Sequence, residues 1–180
     1  EKMAEEIYRE WFVRLRFPEH EQATFHKGIP EGWELKSIQY ACYVGDGAHA
    51  SVKRVDDGIP YLTTKNFKSD GLNLSTVDYI STQEYKKYFG SEKKTVKTPR
   101  KGDILMGIIG SFGQPYLVDS DDEFGISSSV AILRSNSERI LPSYLYAYTR
   151  STSFLKAIHL TKSGSAQGFL SLKMIGTLPL

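Results

Sequence analysis

The sequence predicts an α+β fold: a mixed, mostly antiparallel twisted sheet with short helices, preceded by an N-terminal helix. Three observations carry this. Six short runs rich in Ile, Val and Tyr are bounded by Gly, Pro, Asn or Asp, as strands are. The helical patterns among them do not alternate regularly with the strands, which argues against a doubly wound parallel sheet. An amphipathic helical pattern opens the chain.

The elements follow in order. In residues 2–17, "KMAEEIYREWFVRLRF", Met3, Ile7, Trp11 and Leu15 recur every four residues, and Ala4, Tyr8 and Phe12 form an adjacent stripe. Glu5, Glu6, Arg9, Glu10, Arg14 and Arg16 take the other side. Pro18 stops the helix. A helix with so wide an apolar face needs a partner surface, either its own domain or a partner outside it. Residues 18–31 lack periodicity and read as a linker. The main domain, 32–180, opens at Gly32 and Trp33. Its strands are expected at Ile38–Val44, Ile59–Thr63, Val77–Ile80, Asp103–Ile109, Pro115–Val118 and Val130–Arg134. A helix fits Thr82–Phe89 with Gly90 as its stop. Two more fit Ser143–Arg150, after Pro142, and Ser153–Ile158, with Ser153 as N-cap.

Composition narrows the class. The chain of 180 residues is long enough for one domain with a core and a small appendage, and its first residue, Glu1, suggests a piece of something longer. A single cysteine, Cys42, excludes an internal disulfide and a thiolate zinc site and points to the cytoplasm. No apolar run is long enough for a membrane span. The net charge is only +2, but it is unevenly spread: residues 1–35 sum to −3 and residues 36–180 to +5. Lys86, Lys87, Lys93, Lys94, Lys97, Arg100 and Lys101 cluster against Glu92 alone, a field that favours a polyanion. The competing reading is a solvated lysine-rich face.

Residues 101–134 hold Gly107, Gly110 and Gly113 at a G-x-x-G-x-x-G spacing. A strand precedes them, but "QPYLVDS" follows as another strand, and no Walker lysine is present. Neither nucleotide-binding motif is satisfied. The segment reads as strand–turn–strand, its glycines allowing a tight turn and close backbone approach. Ser111, Phe112 and Gln114 would project from the tip. Gln presents a donor and an acceptor suited to an adenine edge, Ser pairs with several bases, and Phe stacks or meets a thymine methyl.

Two other loops have the same character. Residues 45–71 offer His49, Lys53, Arg54, Lys65, Asn66 and Lys68: cations for phosphates and an amide for adenine. Residues 159–172 offer Lys162, Ser163, Ser165 and Gln167 between glycines that let backbone amides meet phosphate oxygens. Plain polar loops are the alternative for both. Enzyme readings fare worse. There is no G-x-S-x-G elbow, and His20, His26, His49 and His159 are scattered. "DSDDE" at 119–123 leaves a metal-dependent nuclease as an alternative, yet it lacks the calcium-loop spacing and reads as a solvated turn. No catalytic residue, metal or cofactor is assigned.

Several stretches resemble the specificity subunits of type I restriction-modification enzymes. "AEEIYREWFVRL" (4–15) is similar to the end of their spacer helix, and "GIPEGWELKSI" (28–38) to the entry of a target recognition domain. "DGIPYLTTKNF" (57–67), "KGDILMGIIGSFGQ" (101–114), "ISSSVAILR" (126–134), "LPSYLYAYTRS" (141–151) and the stretch ending at Leu180 resemble later segments of that domain in order. The resemblance implies a spacer-helix end over residues 1–17 and a DNA target recognition domain over 32–180. It implies a non-catalytic subunit that reads one half of a bipartite duplex target and directs methylation or cleavage by modification (methyltransferase) and restriction subunits. Met3, Ile7, Tyr8, Trp11, Phe12 and Leu15 would then face a partner outside these residues. A protein-interaction module without DNA binding, built on the same helix, is the other reading.

Overall fold

The computed structural model describes residues 2–68, 71–90, 97–110, 115–163 and 169–180. The chain opens with α1 (Lys2–Tyr8), continued by a π-helical turn over Arg9–Val13. A short ribbon of β1 (Phe25–His26) and β2 (Ile29–Pro30) leads to α2 (Ile38–Ala41) and β3 (Cys42–Asp46). Next come β4 (Arg54–Val55), β5 (Ile59–Leu62), β6 (Phe67–Lys68), β7 (Gly71–Leu72), β8 (Asp78–Ile80) and α3 (Thr82–Phe89). Then follow β9 (Ile104–Gly107), β10 (Tyr116–Leu117), β11 (Gly125–Ile126) and β12 (Val130–Ser135). The last helices are α4 (Pro142–Thr149), α5 (Thr152–Ser163) and α6 (Leu172–Thr177). The expected mixed α+β class, mostly antiparallel with short helices, is observed.

Among the described residues the main sheets have strand orders β10-β9-β12-β3 and β11-β5-β8-β4. In them β11 runs parallel to β5 and the other pairs are antiparallel. The sequence explains how they stack. The runs Ile104–Gly107 and Val130–Ser135 begin as unbroken apolar stretches, the mark of strands covered on both faces. Ile104, Met106, Ala131 and Leu133 point to a core filled by Ile38, Leu145, Phe154, Ile158 and Ile175 from the helices. Leu105, Val130 and Ile132 point the opposite way, to Tyr61, Leu62, Ile80, Phe89 and Ile126 of the second sheet and α3. The molecule is thus layered as helices, central sheet, second sheet. Burying each large apolar side chain contributes about 1.5–3 kcal/mol, so the two-sided strands anchor the whole domain.

Local chemistry sets the ends. The Ser81 side chain accepts from the Glu84 N–H at 3.2 Å and starts α3. Gly90 ends it in right-handed geometry. Glycine is needed there for room, because a Cβ would lie 2.7 Å from the Lys86 carbonyl oxygen.

Three expectations are corrected. Ile38–Ala41 are helical, not strand: Ile38, Ala41 and Cys42 are buried at i, i+3 and i+4, a helical spacing. The opening helix stops at Val13, before Pro18, and Leu15 takes a left-handed backbone (φ 56). That turn carries Phe17 onto the Trp33 ring, with centroids 5.1 Å apart. Helix α6 was not anticipated; Gly176 and three apolar residues hide its periodicity.

The opening helix also divides its apolar face. Tyr8 is buried in the helical core, Phe12 packs edge-on to Tyr144 at 4.8 Å, and Glu5 accepts from Arg150 Nε at 2.7 Å. Met3, Ile7 and Trp11 remain exposed, at 77%, 44% and 38%, and Leu15 is half-buried. Tyr8 is therefore a core residue of its own domain, and Phe12 is partly buried against the same core.

Candidate nucleic-acid interface

Short side chains at 127–129 let several strands approach one another. The Ser129 carbonyl accepts from the Ile108 N–H at 2.9 Å and from Thr64 Oγ1 at 2.9 Å. Ser129 Oγ accepts from the Thr64 N–H at 3.1 Å. The Ser127 N–H donates to the Leu62 carbonyl at 2.9 Å, and Ala48 exchanges backbone bonds with Ile126 and Ser128. Gly47 has to be glycine for this approach, since a Cβ would lie 1.9 Å from the Ile126 carbonyl oxygen. Through these bonds the loop bearing His49, the turn bearing Lys65 and the base of the glycine-rich turn meet at one end of the two sheets.

Both strands expected on either side of the glycine-rich segment are present: β9 and β10 pair antiparallel with Leu105 opposite Tyr116. Beyond β9, Ile109 forms an antiparallel bridge with Phe169, and the Leu170 N–H donates to the Ile108 carbonyl at 2.9 Å. Both Ile109 and Phe169 are exposed. Gly110 then takes a left-handed backbone (φ 77) that suits glycine. Residues 108–109 and 169–170, distant in sequence, are thus joined. Ser111, Phe112, Gln114, Ser165 and Gln167 lie outside the described residues. Lys162 and Ser163 belong to the end of α5, and their side chains lie outside the described part.

The cations divide into bound and open groups. Lys65 Nζ lies 2.8 Å and Arg54 Nε 3.5 Å from the carboxylate of Asp78. The Lys65 hydrogen bond, with the nearby Arg54, outweighs partial burial and holds the Asp78 carboxyl below its ordinary range. Arg54 also stands over the Tyr61 ring, 4.1 Å from the centroid. On α3, Lys87 reaches Glu84 at 3.9 Å and caps the Tyr88 ring, and Lys101 reaches Asp121 at 3.9 Å. Lys53, Lys68 and Lys86 are exposed, and among the described residues no carboxylate pairs with their ammonium groups. The Lys53 N–H donates to Glu84 at 3.1 Å, which sets α3 beside the 45–54 loop. His49 is exposed and bonded to Asp46 at 2.8 Å.

Asn66, expected to read an adenine, does not face outward. It is fully buried. Its Oδ1 accepts from the Thr63 N–H at 2.9 Å and its Nδ2 donates to the Asn73 carbonyl at 3.1 Å. Both ends of the amide are thus taken, Oδ1 in a reciprocal cap of the Thr64–Asn66 turn and Nδ2 in a tie to Asn73. The pattern Thr-x-x-Asn was the available signal. Thr64, Asp78 and Ser129, which shape this end of the molecule, were also missed. Nothing in the sequence marks them, because each acts on a residue far away along the chain.

The acids at 119–123 do not gather. Asp119 accepts weakly from the Tyr116 hydroxyl at 3.4 Å, Asp121 faces Lys101, and among the described residues no three His, Cys, Asp or Glu side chains are placed to hold a metal ion. Among the same residues no helix is long and apolar enough to cross a membrane.

No family model matches the chain, and no curated protein matches it. Solved structures do. The chain superposes on the HsdS subunit from Thermoanaerobacter tengcongensis with a TM-score of 0.55 and 18% identity, over 99% of this chain and 39% of that one. It superposes on a chain from a structure describing complex assembly and conformational transition of the type I restriction-modification system with a TM-score of 0.55 and 16% identity, over 99% of this chain and 41% of that one. At these identities the likeness shows the fold: this chain shares the architecture of part of those subunits and spans about two fifths of their length.

Proposed function

We propose that this chain is the DNA-reading part of a type I restriction-modification specificity subunit, recognising one half of a bipartite duplex target. Residues 32–180 act as the target recognition domain and residues 1–17, helical as far as Val13, as the end of a spacer helix. The subunit itself is non-catalytic and works in the cytoplasm. It directs methylation or cleavage by the modification and restriction subunits. The observation that carries this reading is the joining of loops remote in sequence at one end of the sheets, through Ile109–Phe169 and through Ser129. Lys53, Arg54, Lys65, Lys68, Lys86 and Lys87 hold phosphates. Ser111, Phe112, Gln114, Ser165 and Gln167 read base edges, with Lys162 and Ser163 on the flanking backbone. A good bidentate base contact discriminates by about 1–3 kcal/mol. The exposed Met3, Ile7 and Trp11 stripe remains for a partner.

Selection of bound sequences from random duplexes, with modification subunits present, tests this. One short, ungapped motif per domain is expected. Gln114→Ala should flatten the preference at one position and leave affinity for random DNA nearly intact. Enrichment of no motif by the native chain would count against sequence-specific recognition. Magnesium-dependent cleavage lost in Asp121→Asn would favour the nuclease alternative.

A further inference from the structure

We propose that Asp78 is a specificity-determining residue: it occupies Lys65 and Arg54 as an internal substitute for phosphate and so suppresses binding to non-cognate DNA. This rests on the DNA-binding reading above.

Asp78 begins β8, on which Tyr79 and Ile80 pair with β4 and β5. Its carboxylate meets two cations, one from the neighbouring segment on either side of β8. Lys65 comes from the turn after β5, and Arg54 from the edge strand β4. All three side chains keep close to a third or more of their surface in solvent: 32% for Asp78, 44% for Lys65 and 40% for Arg54. This is no buried pair serving the core. Asp78 is the only carboxylate within ion-pair reach of either cation among the described residues.

The geometry also fixes Arg54. Its guanidinium lies over Tyr61 and its Nη1 donates to the Val52 carbonyl, so its fork is held in place whether or not Asp78 is charged. Among the described residues Lys65 has no such second anchor. Its turn is fixed instead by the Asn66 cap and by Thr64 on Ser129, which leaves only the flexible stem to move. A phosphate arriving at this surface therefore competes with Asp78 for cations already in position. A cognate duplex, held by base contacts, meets that cost. A random duplex, held by phosphates alone, does so poorly and relies on the unpaired Lys53, Lys68 and Lys86.

The test is fluorescence anisotropy of the full chain on a labelled random-sequence duplex across a salt series. Each phosphate contact contributes about 0.9 to the slope of log affinity against log salt. Asp78→Asn, which keeps the shape and removes the charge, should steepen that slope by about 0.9 to 1.8 and raise affinity about threefold to tenfold. An unchanged slope or a fall in affinity overturns the proposal. Lys65→Gln in the otherwise native chain gives a second measure that does not depend on Asp78→Asn folding. A lysine already taken by Asp78 leaves the random-duplex slope unaltered, whereas a drop of about 0.9 shows it free for phosphate and also overturns the proposal. If the native chain binds no DNA at any salt, it is the DNA-binding reading itself that fails.

Discussion

Arg134 grips Asp103 with two parallel hydrogen bonds, Nε to Oδ1 at 2.8 Å and Nη2 to Oδ2 at 2.7 Å. The pair joins β12 to the entry of β9, and it organises what lies beside it. The Arg100 N–H donates to Asp103 at 2.8 Å, and Arg134 also donates to the Thr98 carbonyl at 2.8 Å. One buried carboxylate thereby fixes the backbone of the lysine-rich stretch entering the central sheet.

Asp103 is 1% exposed, so removing it strands a guanidinium that is itself mostly covered. Asp103→Ala should cost about 3–5 kcal/mol of folding stability. Chemical denaturation measures it. A loss under about 1 kcal/mol would mean that Arg134 finds water instead.

Asn66 separates structural from recognition roles. Asn66→Ala removes the Asn66 half of the turn cap and the bond to Asn73, leaving the Thr63 N–H and the Asn73 carbonyl without these partners, for an expected loss of about 1–3 kcal/mol. The sequence motif selected from random duplexes should not change. A changed motif with intact stability would return Asn66 to the reading surface.

The lysines of α3 should differ. Lys86 is exposed and unpaired among the described residues, whereas Lys87 is drawn to Glu84 and Tyr88. Lys86→Ala with Lys87→Ala should weaken binding to any duplex and reduce the salt slope by about 0.9 to 1.8, with Lys86 supplying the larger share. The same salt series reads it, and equal slopes would remove α3 from the phosphate contacts.

Cys42 should be inert in the native state. Burial pushes its thiol up to about 12, and its side chain is 6% exposed. The thiolate, which is the reactive form, is therefore scarce at neutral pH. Because the folded thiol keeps its proton above its ordinary value of about 8.5, this contribution to stability falls as pH rises from there towards 12. Iodoacetamide at pH 8 should label Cys42 only in denaturant. Rapid labelling of the folded chain would contradict the burial.

The sequence determined the fold class, the central strands and the middle helices. Two-sided apolar runs such as 104–107 and 130–133, and cap chemistry such as Ser81 before Thr82–Phe89, are local properties that carry their own meaning. It also named the segments that meet at one end of the sheets. Tertiary structure alone decided which polar side chains those segments keep for themselves. Asn66 turned inward because its own turn took one end of its amide and the Asn73 carbonyl the other. Lys65 and Arg54 acquired Asp78, which lies 13 and 24 residues away along the chain. Tyr8 and Phe12 were claimed by Tyr144, more than a hundred residues on. Hydrophobic periodicity is written in neighbouring residues, whereas the pairing of a charge or an amide depends on which distant strand packing brings within about 3 Å of it.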